Sequence, residues 1–282
     1  MPHSIRQLLA GDAARLAAAL GLDAASARFE VQYLLQRVLD QPRAWLLAHD
    51  DHVLSEKQRD AYQAMLQRRL AGEPVAYIFG EREFYGLRLK VTPATLIPRP
   101  ETELLVELAL QRLPQRGTVL DLGTGSGAIA LAIAHARPDA AVTAVDASAA
   151  ALAVAEQNAR SLGIGNVRFV HGNWFAPLAQ PCFDLIVSNP PYVAAHDPHL
   201  QQGDLPFEPR SALASGEDGL DDIRHIVAQA PSHLRPGGWL LLEHGYDQAA
   251  PVRALLMQAG FAQVFSAHDL AGIERSSGGC RT

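Results

Sequence analysis

The sequence predicts an α/β protein with a mostly parallel sheet, preceded by a small N-terminal helical domain and a β-hairpin linker. From residue 118 onward, strand-like apolar segments alternate with helical ones, which is the pattern of a parallel sheet with helical crossovers. Before residue 75, apolar residues recur at helical spacing instead. We therefore predict the helical domain at residues 1–74, the linker at 75–98 and the larger domain at 99–282.

Capping signals open two helices of the N-terminal domain. Ser4 with Gln7, and Ser55 with Gln58, have the spacing of a capping box, in which each side chain satisfies a backbone N–H of the first turn. Glycine and proline within residues 72–74 end the region. Between the two signals, four apolar residues recur at helical spacing and predict a further helix: Phe29, Tyr33, Leu34 and Val38.

The periodicity changes in the linker. Residues 75–79 are apolar and strand-like, and residues 87–91 alternate leucine or valine with arginine or lysine. These two segments predict a β-hairpin. Prolines within residues 93–100 then predict an extended stretch before a helix that starts near Glu101.

The larger domain is predicted as alternating strands and helices. The predicted strands are residues 118–122, 141–145, 167–170, 183–188, 239–243 and 263–267. The predicted helices are residues 126–136, 149–161, 220–230 and 248–259. In such sheets, ligands bind beyond the carboxyl ends of the strands.

Composition and charge exclude several classes of protein. The 282 residues are 48% hydrophobic and 19% charged, which is ordinary globular composition. No apolar run approaches the length of a membrane span, and residues 1–20 lack the apolar core of a signal peptide. Cys182 and Cys280 make neither a disulfide scaffold nor a CxxC zinc motif, so we expect a cytoplasmic protein. A net charge of −6 disfavours a protein that wraps duplex DNA, although it allows a local basic patch.

A glycine-rich loop follows the first predicted strand of the larger domain: Asp121-Leu-Gly-Thr-Gly-Ser-Gly127. Glycines let the chain turn tightly and let backbone N–H groups approach a ligand. Asp146 ends the next strand, where a carboxylate can accept hydrogen bonds from ribose hydroxyls. The loop and the acid together favour nucleoside binding over a simple tight turn.

The spacing of the loop leaves two cofactor classes open. The dinucleotide pattern G-x-G-x-x-G/A can also be placed on Gly123, Gly125 and Ala128, so the loop does not separate NAD from S-adenosylmethionine. The sequence contains no G-x-x-x-x-G-K-[ST], which excludes a P-loop nucleotide site.

The tetrapeptide Asn189-Pro190-Pro191-Tyr192, after the strand at 183–188, favours S-adenosylmethionine. An amide or amino nitrogen attached to a planar group is a poor nucleophile, because its lone pair is delocalised. The Asn189 side-chain oxygen and the Pro190 carbonyl can accept its two N–H groups and aim it at a methyl group. Proline fixes the direction of the carbonyl, and the Tyr192 ring can stack on a flat substrate.

In these motifs the chain resembles the protein-(glutamine-N5) methyltransferases that modify peptide chain release factors, the PrmC/HemK family. Residues 121–131 resemble the family's cofactor loop and residues 189–192 its substrate motif. The resemblance extends over nearly the whole chain and includes residues 95–103, 199–204 and 207–209. Residues 274–280 depart from it, because serine and glycine replace the apolar residues of a final strand. We therefore expect the last edge strand to be short or frayed.

The resemblance implies a Rossmann-like class I methyltransferase domain that uses S-adenosylmethionine and no metal. It would methylate the side-chain amide nitrogen (N5) of the glutamine in the Gly-Gly-Gln motif of release factors, leaving S-adenosylhomocysteine. The implied cofactor-binding residues are Gly123, Thr124, Gly125, Ser126, Gly127, Asp146, Trp174 and Asn189. The implied substrate-binding residues are Asn189, Pro190, Pro191 and Tyr192, of which Asn189, Pro190 and Tyr192 would be catalytic. The helical domain would contact the release factor, with no membrane or direct nucleic-acid partner.

Four alternatives remain at this stage. Glutamine methylation of a ribosomal protein uses the same tetrapeptide, but residues 95–103 and 199–207 favour the release-factor branch. An adenine-N6 methyltransferase of DNA or RNA also needs a surface that holds the nucleic acid, which the net charge of −6 disfavours. A nicotinamide dehydrogenase leaves residues 189–192 unexplained. A non-catalytic binding module would not require all of these motifs.

Overall fold

The structure is a computed structural model that describes residues 4–178 and 182–282. The chain divides into two compact units, Met1–Phe79 and Gly80–Thr282. In the described residues, no helix has both the length and the apolar character needed to cross a membrane.

The first unit is helical, as predicted. Its helices are α1 (Ile5–Leu20), α2 (Ala24–Leu39), α3 (Arg43–Ala48), α4 (Glu56–Leu70) and α5 (Val75–Phe79). The predicted capping boxes are present at Ser4 and at Ser55, where each hydroxyl accepts a backbone N–H three residues later. Leucine side chains from these helices form the core of the unit.

The predicted apolar stripe of α2 is only partly buried. Leu34 is fully buried, whereas the side chains of Phe29 and Tyr33 are 54% and 46% exposed. The inward face of α2 also includes Val31 and Leu35, which are fully buried. Phe29 and Tyr33 stack on each other at 6.1 Å between ring centroids, and Tyr33 packs on Phe79 at 5.0 Å. Helical spacing therefore predicts the helix correctly; Leu34 and Val38 pack into the core of the unit, whereas Phe29 and Tyr33 are exposed.

The strand predicted at residues 75–79 is wrong, because these residues form helix α5. The Pro74 carbonyl accepts the N–H groups of Tyr77 and Ile78, each at 3.0 Å. The Arg68 guanidinium of α4 donates to the carbonyls of the same two residues, each at 3.3 Å. The last carbonyls of a helix have no partner within the helix. Because Arg68 supplies hydrogen bonds to those of α5, this short helix can end where it is packed against other residues.

The hairpin lies later in the chain than predicted. It consists of β1 (Glu81–Phe84) and β2 (Leu87–Lys90), which pair antiparallel at the start of the second unit. The predicted alternation of β2 is confirmed, since Leu87 and Leu89 are buried and Arg88 and Lys90 are exposed.

The remaining strands of the second unit form one sheet in the described residues. They are β3 (Thr118–Leu122), β4 (Ala141–Asp146), β5 (Val167–His171), β6 (Phe183–Ser188), β7 (Leu234–Glu243), β8 (Phe261–His268) and β9 (Glu274–Arg281). The helices of this unit are α6 (Glu103–Arg112), α7 (Ala128–Ala136), α8 (Ala149–Leu162), α9 (Asp221–His233) and α10 (Ala249–Gln258). Short 3₁₀ helices occupy Pro100–Thr102, Pro198–Gln201, Leu205–Phe207 and Arg210–Ala212. Apolar side chains of the helices cover both faces of the sheet.

The strand order β5-β4-β3-β6-β7-β9-β8 places β3 between β4 and β6. Strands β3 to β7 pair with one another in parallel, and β9 is antiparallel to both β7 and β8. The chain runs outward from β3 to β5 and then returns to β6 on the other side of β3. This change of direction creates a crevice at the carboxyl ends of β3 and β6, where ligands bind in sheets of this kind.

The expectation of a short or frayed last edge strand is wrong. Strand β9 is 8 residues long and lies between β7 and β8, so β8 forms the edge. Its glycines permit this position: a Cβ atom at Gly278 would lie 2.5 Å from Leu241 Cδ2 and 2.7 Å from the Leu240 carbonyl. Strand β9 therefore needs glycine at this position in order to approach β7 closely. Glycine is nevertheless a residue that weakens a strand taken by itself.

Candidate active site

A cavity of about 610 Å³ opens at the carboxyl ends of β3 to β6. Six of the predicted site residues line it: Gly123, Gly125, Asp146, Trp174, Asn189 and Pro191. Five others lie outside its lining: Thr124, Ser126, Gly127, Pro190 and Tyr192. The structure therefore brings the glycine-rich loop, the acid after β4 and the proline motif to one cavity.

The glycine-rich loop needs glycine for backbone reasons. Gly123, Gly125 and Gly127 have φ angles of 73°, 58° and 85°, in the left-handed region that side chains disfavour. The N–H groups of Gly123 and Thr124 donate to the Val145 carbonyl at 2.9 and 3.0 Å, which ties the loop to the end of β4. A Cβ atom at Gly125 would meet no atom within 4 Å. The loop therefore presents bare backbone to the cavity at this position.

Asp146 is held rigidly at the end of β4. Its Oδ2 accepts the Gly125 N–H at 2.8 Å, and its Oδ1 accepts the Ser148 N–H at 2.8 Å. Each carboxylate oxygen has a further acceptor site. Asp146 can therefore stabilise the loop and still accept hydrogen bonds from a ligand in the cavity.

Thr124 stabilises the glycine-rich loop through a buried hydrogen bond. Its hydroxyl donates to Oδ2 of the buried Asp121 at 2.6 Å, and the Ala130 N–H donates to the same oxygen at 3.2 Å. Burial raises the pKa of Asp121 to about 7, and the nearby negative charge of Asp146 acts in the same direction. Asp121 and Thr124 thus fix the shape of the turn beneath the cavity.

Asn158 of α8 supports the loop, and sequence reasoning missed it. Its Nδ2 donates to the Ser126 carbonyl at 2.8 Å and to the Lys90 carbonyl at 3.0 Å. Its Oδ1 accepts the Lys90 N–H at 2.7 Å. One buried amide therefore joins the glycine-rich loop to β2. A polar residue on the apolar face of an amphipathic helix is the signal that could have found it.

Trp174 lines the cavity beside the loop. Its backbone has a φ of 47°, and a Cβ atom at Gly123 would lie 3.4 Å from its ring. The ring therefore packs directly over the bare backbone of Gly123. This arrangement leaves a flat aromatic surface at the cavity wall, which suits the stacking of a planar base.

The proline motif begins with an oriented amide. The Asn189 Nδ2 donates to the Thr102 hydroxyl at 3.2 Å. Because the amide nitrogen is occupied, Oδ1 is the group that remains to accept a hydrogen bond at the cavity. Pro190 is buried next to it.

Tyr192 at the end of the motif is bonded away from the cavity lining. Its hydroxyl donates to Oε1 of Glu243 at 3.3 Å, and its carbonyl accepts Nε2 of Gln248 at 3.0 Å. Burial, together with the Glu243 carboxylate, raises the pKa of the Tyr192 hydroxyl, which therefore remains a donor. Stacking of the Tyr192 ring on a substrate stays a prediction.

An ion pair with a buried carboxylate joins two of the segments that resemble the PrmC/HemK family. Glu208 accepts the Ile97 N–H at 2.8 Å through Oε1 and pairs with Arg99 through Oε2. Burial raises the pKa of the Glu208 carboxyl, while the Arg99 charge opposes that shift. Residues 93–96 and Pro209 line the cavity next to this pair. The pair therefore holds two parts of the cavity wall together.

In the part of the chain that the structure describes, no group of three or more His, Cys, Asp or Glu residues is arranged to hold a metal.

Comparison with known proteins identifies the family. The PrmC N-terminal domain model matches residues 7–80, and the methyltransferase small domain model matches residues 100–204. The chain is 55% identical over 255 residues to the release factor glutamine methyltransferase of Bordetella pertussis, covering 89% of this chain and 94% of that one. The chain belongs to the release factor glutamine methyltransferase family.

Further comparisons agree with this family. The release factor glutamine methyltransferase of Burkholderia pseudomallei is 54% identical over 275 residues, which cover 95% of each chain. A methyltransferase structure from Pyrococcus furiosus has a TM-score of 0.54 and 19% identity, covering 78% of this chain and 97% of that one. This second likeness supports the fold. The predicted family, the α/β fold class and the predicted enzyme class, a methyltransferase, are therefore confirmed.

Proposed function

We propose that this family member transfers the methyl group of S-adenosylmethionine to N5 of the glutamine in the Gly-Gly-Gln motif of peptide chain release factors. The products are N5-methylglutamine and S-adenosylhomocysteine. One observation carries the proposal: the Asn189 amide, oriented by Thr102, lines the same cavity as Gly125 and Asp146. Because release factors act in translation, the proposal places the enzyme in the cytoplasm.

The cavity residues fit S-adenosylmethionine, which would supply an electrophilic methyl group on its sulfonium. A volume of about 610 Å³ falls within the range of small-molecule sites. The bare backbone at Gly123 and Gly125 would accept the methionine and ribose portions, and Asp146 the ribose hydroxyls. Trp174 would stack on the adenine. Thr124, Ser126 and Gly127 would contribute by shaping the loop.

The proline motif would orient the substrate amide. Asn189 Oδ1 and the Pro190 carbonyl would accept its two N–H groups, which aims the nitrogen lone pair at the methyl group. Pro191 and Tyr192 would flank the side chain. The enzyme would act mainly by positioning, since correct orientation of two reactants lowers the barrier without a covalent intermediate. The amide proton can leave after transfer, when the nitrogen has become acidic, so no dedicated general base is required.

Methyl transfer measured on several acceptors tests the proposal. The full-length chain is incubated with labelled S-adenosylmethionine and, in parallel, with release factor, ribosomal proteins and DNA. We expect label only in the release factor, at the glutamine of its Gly-Gly-Gln motif. A factor whose motif glutamine is replaced by alanine serves as the control. Label in a ribosomal protein or in DNA, without label in the release factor, would favour one of the alternative substrates.

The N-terminal unit is proposed to hold the protein substrate. Phe29, Tyr33, Leu47 and Val53 of this unit are exposed, and exposed aromatic residues frequently form the centres of protein interfaces. Every predicted cofactor contact lies in the second unit, Gly80–Thr282.

Removal of residues 1–79 tests this role. We expect the shortened enzyme to bind S-adenosylmethionine normally and to methylate a short Gly-Gly-Gln peptide at the full-length rate. Its kcat/KM on intact release factor should fall at least about tenfold, which corresponds to a loss of roughly 1.4 kcal/mol of binding. Equal kcat/KM values of the two enzymes on the intact factor would refute the role of the unit in substrate binding.

A further inference from the structure

A buried amide lies behind the proline motif, at the start of α10. Gln248 is 8% exposed and lies outside the lining of the cavity. Its Nε2 donates to the Tyr192 carbonyl at 3.0 Å and to the Asp218 carbonyl at 3.3 Å. Its Oε1 accepts the Gly245 N–H at 2.8 Å. One side-chain amide therefore joins the end of the proline motif to two other loops.

The orientation of this amide follows from the chemistry of its partners. A carbonyl oxygen can only accept a hydrogen bond, and a backbone N–H can only donate one. The nitrogen of the amide must therefore face the Tyr192 and Asp218 carbonyls, and its oxygen must face the Gly245 N–H. Within α10, all of which the structure describes, the Gln248 side chain caps no backbone N–H. Its hydrogen bonds therefore hold the loops around the site rather than its own helix.

The loop that carries Asp218 approaches Tyr192 closely. A Cβ atom at Gly219 would lie 2.3 Å from the Tyr192 carbonyl oxygen and 2.8 Å from Gln248 Nε2. Gly219 also has a φ of 77°, in the left-handed region that favours glycine. Glycine at this position therefore leaves room for one amide to bridge both carbonyls.

The proline motif cannot be held by a continuous ladder of backbone hydrogen bonds. Its two prolines have no N–H to donate, and a proline ring fixes φ alone. The direction of the Pro190 carbonyl therefore depends on how the two ends of the motif are held. At the first end, the Thr102 hydroxyl accepts Asn189 Nδ2 at 3.2 Å. At the other end, Gln248 holds the Tyr192 carbonyl.

We propose that Gln248 is a positioning residue for methyl transfer: by holding the Tyr192 carbonyl, it fixes the end of the proline motif and with it the direction of the Pro190 carbonyl. This inference rests on the proposed function, in which the Pro190 carbonyl accepts one N–H of the substrate amide. Gln248 acts through the motif, because it lies outside the cavity lining. Its loss should therefore impair the methyl-transfer step and leave cofactor binding intact.

Gln248→Met in the full-length enzyme tests the proposal. Methionine has a similar length but no N–H to donate, so the Tyr192 carbonyl loses its partner. Gln258→Met is the matched control, because it makes the same change at the exposed last residue of the same helix. Two quantities are measured: the affinity for S-adenosylmethionine, and the single-turnover rate with saturating release factor, expressed per enzyme molecule that binds the cofactor.

We expect Gln248→Met to lose about 10- to 100-fold in single-turnover rate, because a small misplacement of reacting groups is costly. Cofactor affinity should change less than about threefold, since substitutions without shared partners have nearly independent effects. A merely structural role would lower the amount of folded enzyme but leave the rate per cofactor-binding molecule unchanged. Gln258→Met should match the wild type in both measurements. A wild-type rate in Gln248→Met would overturn the proposal.

Gly219→Ala provides an independent test that retains Gln248 and is still informative if Gln248→Met folds poorly. The added Cβ must displace the Tyr192 carbonyl, so the rate should fall in the same way while cofactor binding persists. Gly272→Ala is its control, since Gly272 has a φ of 78° but a Cβ atom there would meet no atom within 4 Å. Equal rates in these two variants would also overturn the proposal. Failure of the wild-type enzyme to methylate release factor is a different result, because it would contradict the proposed function itself.

Discussion

Replacing Asn189 with alanine is expected to slow methyl transfer to release factor about 10²–10³-fold, comparable to the removal of one preorganised catalytic hydrogen bond. The variant loses the Oδ1 acceptor at the cavity and leaves the Thr102 hydroxyl without its Nδ2 donor. One N–H of the substrate amide is then unpaired, which costs about 1–3 kcal/mol. The aim of the nitrogen also loosens, and this loss is felt mainly in the transition state. Single-turnover methylation measures the effect.

Cofactor titration of the same variant is the internal control. The glycine-rich loop and Asp146 remain, so the dissociation constant for S-adenosylmethionine should change far less than the turnover. Asn173→Ala offers a useful contrast, because Asn173 also lines the cavity but lies beside Trp174, outside the proline motif. We expect its replacement to act on cofactor affinity more than on the methyl-transfer step. Near-normal turnover of Asn189→Ala would reduce residues 189–192 to a structural turn.

The sequence predicted those parts of the site whose residues lie close together along the chain. A glycine-rich turn, an acid at a strand end and a proline motif are each recognisable within a few residues. The parallel sheet then determines that they meet, because the carboxyl ends of its strands share an edge. This reasoning correctly brought Gly125, Asp146 and Asn189 to one cavity.

Supporting residues escaped prediction because their partners are distant in the chain. Glu208 accepts the N–H of Ile97, and Asn158 bonds to both backbone groups of Lys90. Glutamate and asparagine are usually exposed; the position of Asn158 on the apolar face of α8 is a weak local signal of burial, and the local sequence of Glu208 gives none. Their burial becomes favourable only when the fold supplies hydrogen-bond partners for them.

The errors in secondary structure have the same origin. Residues 75–79 have the composition of a strand, yet hydrogen bonds from Arg68 to their carbonyls stabilise a helix. Residues 274–281 contain serine and glycine, yet they form β9 because Gly278 allows close packing against Leu241. In both places, contacts with other elements outweigh the intrinsic preference of the segment.

Asp146→Ala is expected to weaken S-adenosylmethionine binding about 10- to 150-fold without unfolding the enzyme. Hydrogen bonds from ligand hydroxyls to a charged acceptor contribute roughly 1.5–3 kcal/mol, which corresponds to that range of dissociation constants.

The structure adds a second reason for this loss of affinity, because Asp146 Oδ2 also accepts the Gly125 N–H at 2.8 Å. Alanine would therefore loosen the loop as well as remove the proposed ribose acceptor. Asp146→Asn retains one acceptor oxygen and should give a smaller loss. Asp139→Ala is the matched control, since Asp139 precedes β4 at its opposite end and pairs with Arg137. Calorimetric titration measures all three variants, and an unchanged affinity of Asp146→Ala would remove Asp146 from the cofactor site.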